Sequence, residues 1–284
     1  MNGKKVGLEI EELIKEALGT RSSAGVPGLA IVQIGNDSAS QVYTSMKAKA
    51  CQRVGFHSEN HHLSDETQQE EVLNLIEELN NNEKIHGILV QLPLPNNFDE
   101  EKILQAVSPE KDVDGFNSLN TSRLMSRNRP DPYFIPATPF GIIHLLHEYN
   151  IPIAGQHAVI VGHSNIVGMP IAHALLQEWA TITICHVKTN NVQEICRSAD
   201  ILISATGKPG LITPDFVKPG ATVIDVGITR DDTGKIVGDV SPDVKQVAGA
   251  LTSVPGGVGP MTIASLLANT FKSFAGVTVF DLKK

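Results

Sequence analysis

Cysteine is scarce in this chain, and the three present, Cys51, Cys185 and Cys196, are odd in number and lack the spacing of a metal site. That excludes a disulfide framework and favours buried free thiols in a reducing compartment. His61-His62 and the pair His144 and His147 have no third ligand at metal spacing, so no bound metal is expected. Apolar runs are short. None is long enough to span a bilayer, and the opening MNGKKVGLEIEELIKEALGT threads acids through a periodic apolar pattern, which reads as a mature amphipathic helix and not a targeting segment. Basic blocks and aromatics are few as well. A net charge of −8 with 5% aromatics argues against nucleic acid as the main partner, and an anionic ligand would need local positive groups. The expectation is a cytoplasmic protein with neither membrane nor nucleic acid among its partners.

What the chain does have is the pattern of an α/β fold with room for two domains in its 284 residues. Helix near Val6 to Leu18, strand Leu29 to Ile34, helix about Ser38 to Val54, helix Ser64 to Asn80 and buried strand Ile88 to Leu92 follow from apolar periodicity. The proline-rich stretch Pro130 to Pro139 marks a domain boundary, after which Thr138 or Pro139 starts a helix through His147. Thr181 to Cys185, Ile201 to Ser204, Thr222 to Val226 and Ala250 to Val254 then recur as short apolar runs with helix-like segments between them. This is the rhythm of a parallel sheet. A last helix, about Met261 to Phe274, is expected to pack back on the first domain. The expected domains are 1–137 and 138–269, with 270–284 returning to the first.

The most informative stretch is Val159 to Pro170, VIVGHSNIVGMP. A β-type run breaks at Gly162 and yields to a helix near Val167, whose unpaired N–H groups and positive dipole end suit a dinucleotide's phosphates. Gly162 and Gly168 allow close backbone approach, while Ser164 stands where the usual G-x-G-x-x-G pattern has its second glycine. Ordinary turn chemistry accounts for the loop equally well by itself. The other runs tip the balance, because each ends in small or polar residues: Cys185-His186, Ala205-Thr206-Gly207, Gly227 and Pro255-Gly256-Gly257. Ligands of open α/β sheets bind at the carboxyl ends of strands.

Chemistry is concentrated in three places of the first half. In SASQVYTSMKAKAC, helical spacing puts Ser40, Tyr43 and Lys47 on one face beside an apolar stripe of Val42, Met46 and Ala50. A lysine there is partly desolvated, which lowers its pKa and makes it a proton donor or acceptor near neutral pH; a surface lysine laying its stem along apolar neighbours fits the same segment. Gln91 closes the run Gly87 to Val90, where it either hydrogen-bonds a heterocycle's amide-like edge or caps loop backbone. Asp112 and Asp114 lie in PEKDVDGFN, an Asp-Gly turn. One aspartate reading the N–H donors of a ring explains them better than a metal pair.

Taken together, Tyr43 with Lys47, VQLPLP at Val90 to Pro95, KDVDG at Lys111 to Gly115, PATP at Pro136 to Pro139, GHSNIVGMP at Gly162 to Pro170 and PGGVGPMT at Pro255 to Thr262 give the chain its likeness. It resembles the bifunctional methylenetetrahydrofolate dehydrogenase/cyclohydrolase family. The resemblance implies two α/β domains, the second Rossmann-like, with a cleft between them. It also implies that Pro255 to Thr262 wall that cleft, that the chain oxidises 5,10-methylenetetrahydrofolate with NADP and hydrolyses the methenyl product to 10-formyltetrahydrofolate at the same site, and that it forms a homodimer.

Carried over by position, Lys47 is the catalytic lysine, Tyr43 packs on the substrate ring, Gln91 assists Lys47 and Asp114 binds the pterin. Leu92, Pro255, Gly256 and Gly257 complete the implied substrate site. The implied cofactor contacts are Thr138, Gly162, His163, Ser164, Ile166, Val167, His186, Lys188, Ala205, Thr206, Gly207, Gly227, Ile228 and Thr262. Cofactor choice has its own signal. The region about twenty positions after the glycine loop reads TICHVKT, without the acid that bonds an NAD ribose. Lys188, with His163 and His186, can instead face a 2′-phosphate. The chain departs from many NADP-using relatives, which carry arginine at His163 and serine at Val187, and histidine is only partly charged at neutral pH. Another NAD(P)-dependent dehydrogenase, such as one of amino acids, would share this plan but not hydrolyse a methenylfolate. A non-enzymatic dinucleotide sensor would keep the glycine loop and not need Lys47.

Overall fold

The computed structural model describes residues 1–20, 25–126 and 134–283. Of the proline-rich boundary stretch, 130–133 lie outside the described residues. By contacts the chain divides into two compact units, Leu8–Ala137 with Ile263–Lys284, and Met1–Gly7 with Thr138–Thr262. Helix α1 (Gly3–Gly19) opens the chain, and the division falls inside it.

The unit that contains Leu8–Ala137 is built on a small parallel sheet. Strand β1 (Gly28–Ile34) is buried along its whole length, as a strand covered on both faces must be. Helix α2 (Ser38–Val54) follows, started by the Asp37 carboxylate, which accepts the Ser40 N–H at 2.7 Å, and stopped by Gly55 at φ 81°. Then come β2 (His57–Leu63), α3 (Gln69–Asn81), β3 (Gly87–Val90), α4 (Glu100–Ala106) and α5 (Ser118–Met125). The sheet order is β2-β1-β3. Val72, Ile76 and Leu79 of α3 and Ile103 of α4 close over Ala30, Val32, Ile34, Ile88 and Val90. Each such side chain contributes about 1.5–3 kcal/mol by leaving water.

One expectation here is corrected. The helix expected from Ser64 begins only at Gln69, and the residues before Ser64 form β2. Its sequence HSENHHL has one apolar residue, because an edge strand with a wet face is specified by its backbone pairing with β1 and not by apolar alternation.

The other unit holds α6 (Ala137–Glu148), β4 (His157–Val161), α7 (Gly168–Gln177), β5 (Thr181–Cys185), α8 (Val192–Cys196), β6 (Ile201–Ser204), β7 (Thr222–Asp225), the hairpin β8 (Thr229–Arg230) and β9 (Ile236–Val237), and β10 (Ala250–Leu251). The last helix, α9 (Val258–Ala275), carries the chain back into the first unit from Ile263 onward. Five parallel strands lie in the order β10-β7-β6-β4-β5. The chain steps outward from β4 to β5, then crosses back to β6 on the other side of β4. That reversal is the switch point at which open α/β sheets bind ligands.

Two further corrections fall in this sheet. Between β6 and β7 the chain makes only a 3-10 turn at Pro214–Phe216, and between β7 and β10 it makes the hairpin and a 3-10 turn at Pro242–Gln246, where helix-like segments were expected. Of the run Ala250 to Val254, only Ala250 and Leu251 form β10; the Thr252 N–H still reaches the Val223 carbonyl at 3.1 Å, and Gly256 then turns the chain at φ 102°. All three cysteines are free and buried, and burial pushes the Cys51 and Cys196 thiols up to about 12. Among the described residues no helix is long and apolar enough to cross a membrane.

Candidate active site

Helix α2 presents Lys47 inward. The side chain is 7% exposed, and its Nζ donates to Gln91 Oε1 at 2.8 Å. Gln91 sits just past the end of β3 and is itself fixed, because its Nε2 donates to the Leu92 carbonyl at 2.7 Å. The Ser40 hydroxyl reaches the same carbonyl at 3.5 Å. Tyr43, half-buried, lies one turn from Lys47 on the helix. The apolar stripe expected beside the lysine is not what desolvates it: Val42 is 47% exposed and Met46 41%, and only Ala50 is buried. The buried face of α2 is Ser40, Lys47, Ala50, Cys51 and Val54. Burial lowers the Lys47 pKa, and Asp114 opposes the shift by favouring the ammonium. The carboxyl of Asp114 is raised by burial and lowered by Lys47.

The two aspartates of the KDVDG turn have separate tasks. Asp112 is buried and accepts the N–H groups of Phe116 at 3.1 Å and Asn117 at 2.8 Å, and the Asn120 side-chain amide at 2.9 Å. All of these partners lie within the loop and α5. Asn269 of α9 holds the next residue, donating to the Val113 carbonyl at 2.8 Å and the Ile135 carbonyl at 3.0 Å. Gly115 turns the chain at φ 74°, so Asp114 is left as the half-buried carboxylate of the turn. Neither Asn269 nor Asn120 was legible as part of this site, since each acts across a sequence gap with no motif.

Burial pushes the Asp112 carboxyl up to about 7 despite its three donors. A raised carboxyl stabilises the fold while it is protonated; the contribution is complete below about 4 and is lost as pH rises through about 7. Stability of the native chain minus that of Asp112→Asn should therefore fall between about pH 4 and 7, as read from urea midpoints. A difference that is flat or rises with pH contradicts the assignment.

The second constellation gathers at the carboxyl ends of β4, β5, β6 and β7. Gly162 has φ 126°, and a Cβ there would overlap the Ala205 carbonyl oxygen; a Cβ on Gly168 would overlap the carbonyl of Gly162. Both glycines are required by close backbone approach, as a phosphate-binding turn demands. The helix end is less open than expected. The Ser164 hydroxyl accepts the N–H groups of Val167 at 3.2 Å and Gly168 at 3.4 Å, its carbonyl accepts that of Met169, and Pro170 has none. Ser164 thus caps α7 where a second glycine would leave its N–H groups to a ligand. The Ile166 side chain is half-buried beside this turn.

His163 and His186 stack edge to face at 5.3 Å, and the His186 Nδ1 accepts the Lys188 N–H at 3.2 Å. All three residues are exposed. Thr138 and Thr262 share a hydrogen bond of 2.9 Å. Thr206 and Gly227 are brought together through Asp239, and Gly207 and Ile228 are exposed next to them. Pro255 to Gly257 belong to the same unit, where the Gly256 carbonyl accepts the Lys4 N–H at 2.9 Å. Close-approach glycines at a switch point fit a dinucleotide, and a cluster of two histidines and a lysine without a carboxylate fits a phosphorylated ribose. Among the described residues no group of three or more His, Cys, Asp or Glu is placed to hold a metal.

A parallel sheet with a glycine turn at its switch point, joined in one chain to an α/β unit bearing a buried lysine, defines a nucleotide-dependent α/β enzyme. The chain belongs to the tetrahydrofolate dehydrogenase/cyclohydrolase family: the profile of that family's catalytic domain matches residues 1–114, and that of its NAD(P)-binding domain matches residues 136–277. It is 51% identical over 275 residues to the bifunctional protein FolD of Moorella thermoacetica, covering 96% of this chain and 97% of the relative. Among solved structures, the bifunctional enzyme FolD of Campylobacter jejuni superposes with a TM-score of 0.93 at 44% identity, covering 97% of this chain and 98% of that one. The Trypanosoma brucei FolD, complexed with NADP cofactor and inhibitor, gives 0.91 at 37% identity and 96% coverage of both chains.

Proposed function

We propose that this chain oxidises 5,10-methylenetetrahydrofolate to the 5,10-methenyl form with NADP and hydrolyses that product to 10-formyltetrahydrofolate. The observation that carries the reading is the Lys47 amine, buried, held by Gln91 and flanked by Asp114. Residues 1–137 serve the folate and residues 138–269 the dinucleotide. Bound NADP supplies a hydride acceptor for the one-carbon bridge.

The chain's own task in oxidation is placement, which supplies much of the rate when reacting atoms are held in line. Asp114 accepts N–H donors of the pterin, and Tyr43 packs on its ring, with Leu92 and Pro255 to Gly257 completing the folate site. Gly162, Ser164, Ile166 and Val167 line the phosphates; Thr138, Ala205, Thr206, Gly207, Gly227, Ile228 and Thr262 line the rest of the dinucleotide. Hydrolysis adds water to the cationic methenyl carbon, and the attacking water must lose a proton. Lys47 takes it. Desolvation favours the neutral amine, which has a free lone pair and does not repel the cation. Gln91 fixes the nitrogen by accepting one of its hydrogens. In this reading the enzyme works in the cytoplasm as a homodimer, and sedimentation of the purified chain checks the latter.

Reduced-cofactor formation from methylenetetrahydrofolate, compared between NADP and NAD, with a separate assay of methenyl breakdown, tests the proposal. Turnover with NAD alone overturns the 2′-phosphate assignment, and absence of methenyl breakdown leaves a dehydrogenase only. The grip on the phosphate rests on His163, His186 and Lys188, so His163→Arg, which adds a permanent charge with a fork of donors, should lower the KM for NADP about tenfold. The KM for NAD should stay the same. Equal change for both cofactors would place His163 away from the 2′-phosphate.

A further inference from the structure

Asp225, at the end of β7, and Asp239, after β9, form a reciprocal lock that the chemistry above does not use. Asp225 is 4% exposed and Asp239 fully buried. Asp225 Oδ1 accepts the N–H groups of Gly227 at 3.0 Å and Asp239 at 2.9 Å, while its Oδ2 accepts that of Val240 at 3.0 Å. Asp239 Oδ2 accepts three donors from the β6 exit: the Ser204 hydroxyl at 2.9 Å, the Thr206 N–H at 2.7 Å and the Thr206 hydroxyl at 2.9 Å.

Each carboxylate also fills the space of an absent side chain. A Cβ on Gly227 would overlap Asp239 Oδ1, and a Cβ on Gly238 would overlap Asp225 Oδ2. Asp239 Oδ1 has no hydrogen-bond partner. Two buried carboxylates side by side are costly; burial, with Asp239 adding to it, pushes Asp225 up to about 6. For stability alone, apolar residues would serve better. What the pair achieves is geometric: it ties the β6 exit, the β7 exit and the base of the β8–β9 hairpin into one rigid edge.

We infer that Asp239 is a positioning residue for the dinucleotide, holding the Ala205–Gly207 turn and the Gly227–Ile228 turn at a fixed separation through Ser204, Thr206 and Gly227. The inference rests on the cofactor site proposed above. It makes Asp239 specific to one of the two reactions, because methenyl hydrolysis consumes no dinucleotide.

The experiment compares Asp239→Ala, Asp239→Asn and Ser204→Ala with the native chain in both assays and by calorimetric titration with NADP. Asp239→Ala should raise the KM and Kd for NADP at least tenfold and leave methenyl hydrolysis within twofold of native. Asp239→Asn, which keeps an oxygen acceptor, should recover part of the loss, and Ser204→Ala, which removes a single donor, should shift the KM by less. Should Asp239→Ala fail to fold, the other two variants carry the same test. Parallel loss of both activities, or an unchanged NADP affinity in folded variants, overturns the inference. Failure of the native chain to turn over with NADP would instead overturn the proposed function.

Discussion

Lys47→Ala should lower methenyl hydrolysis by about 10²–10⁴-fold while NADP binding stays native, because a positioned proton acceptor contributes a factor of that size. Oxidation should fall less, since hydride transfer needs placement more than proton transfer. Lys47→Arg should not restore hydrolysis. A guanidinium remains charged at any working pH and has no lone pair to take a proton. Gln91→Leu is the milder companion: it removes the acceptor for Lys47 Nζ, so the amine loses its fixed position but not its chemistry. Rates of methenyl breakdown by absorbance, with NADP titration alongside, check these outcomes. Survival of both reactions in Lys47→Ala would remove the lysine from the mechanism.

Gly162→Ala should separate the reactions in the opposite direction. The added methyl would overlap the Ala205 carbonyl oxygen, and a φ of 126° is closed to residues with a side chain. The β4 exit must shift, carrying His163 and Ser164 with it, and a displacement of that order costs roughly 100-fold in a reaction that depends on placement. Dehydrogenase kcat/KM for NADP should drop accordingly, while hydrolysis continues. Initial-rate kinetics with each substrate measures it. Native dehydrogenase kinetics in a folded Gly162→Ala chain would show that the turn does not carry the phosphates.

The opposite signatures of these two changes reflect what could be read from residues alone. Elements with local signals were legible: α2 is bracketed by Asp37 and Gly55, and β4, β5 and β6 show as short apolar runs between turns. The glycine turn had a motif and Lys47 a helical spacing, whereas Lys47, Gln91 and Asp114 were joined as one set only by the family resemblance; the structure puts Lys47 on Gln91. Strand β2 was not legible, since it is polar and acquires its conformation from pairing with β1. The cause of the lysine's burial was misread as well. Spacing identified an apolar stripe through Val42 and Met46, but tertiary packing turned that stripe outward and buried the lysine's own face. Asn269 and Asp239 were invisible for one shared reason. Each works through partners brought near by the fold, such as Val113 for Asn269 and Ser204 for Asp239, and no local pattern records a pairing over such sequence distances.

The central claim is that burial favours the neutral Lys47 amine, beside Gln91, as the group that takes the proton from water. Titration of that nitrogen by heteronuclear NMR, with Lys47→Met used to assign its signal, tests it most directly. The account predicts a pKa below the ordinary lysine value of about 10.4. A value at or above it would mean that Asp114 outweighs desolvation, that the side chain stays an ammonium through the reaction, and that some other group takes the proton from water.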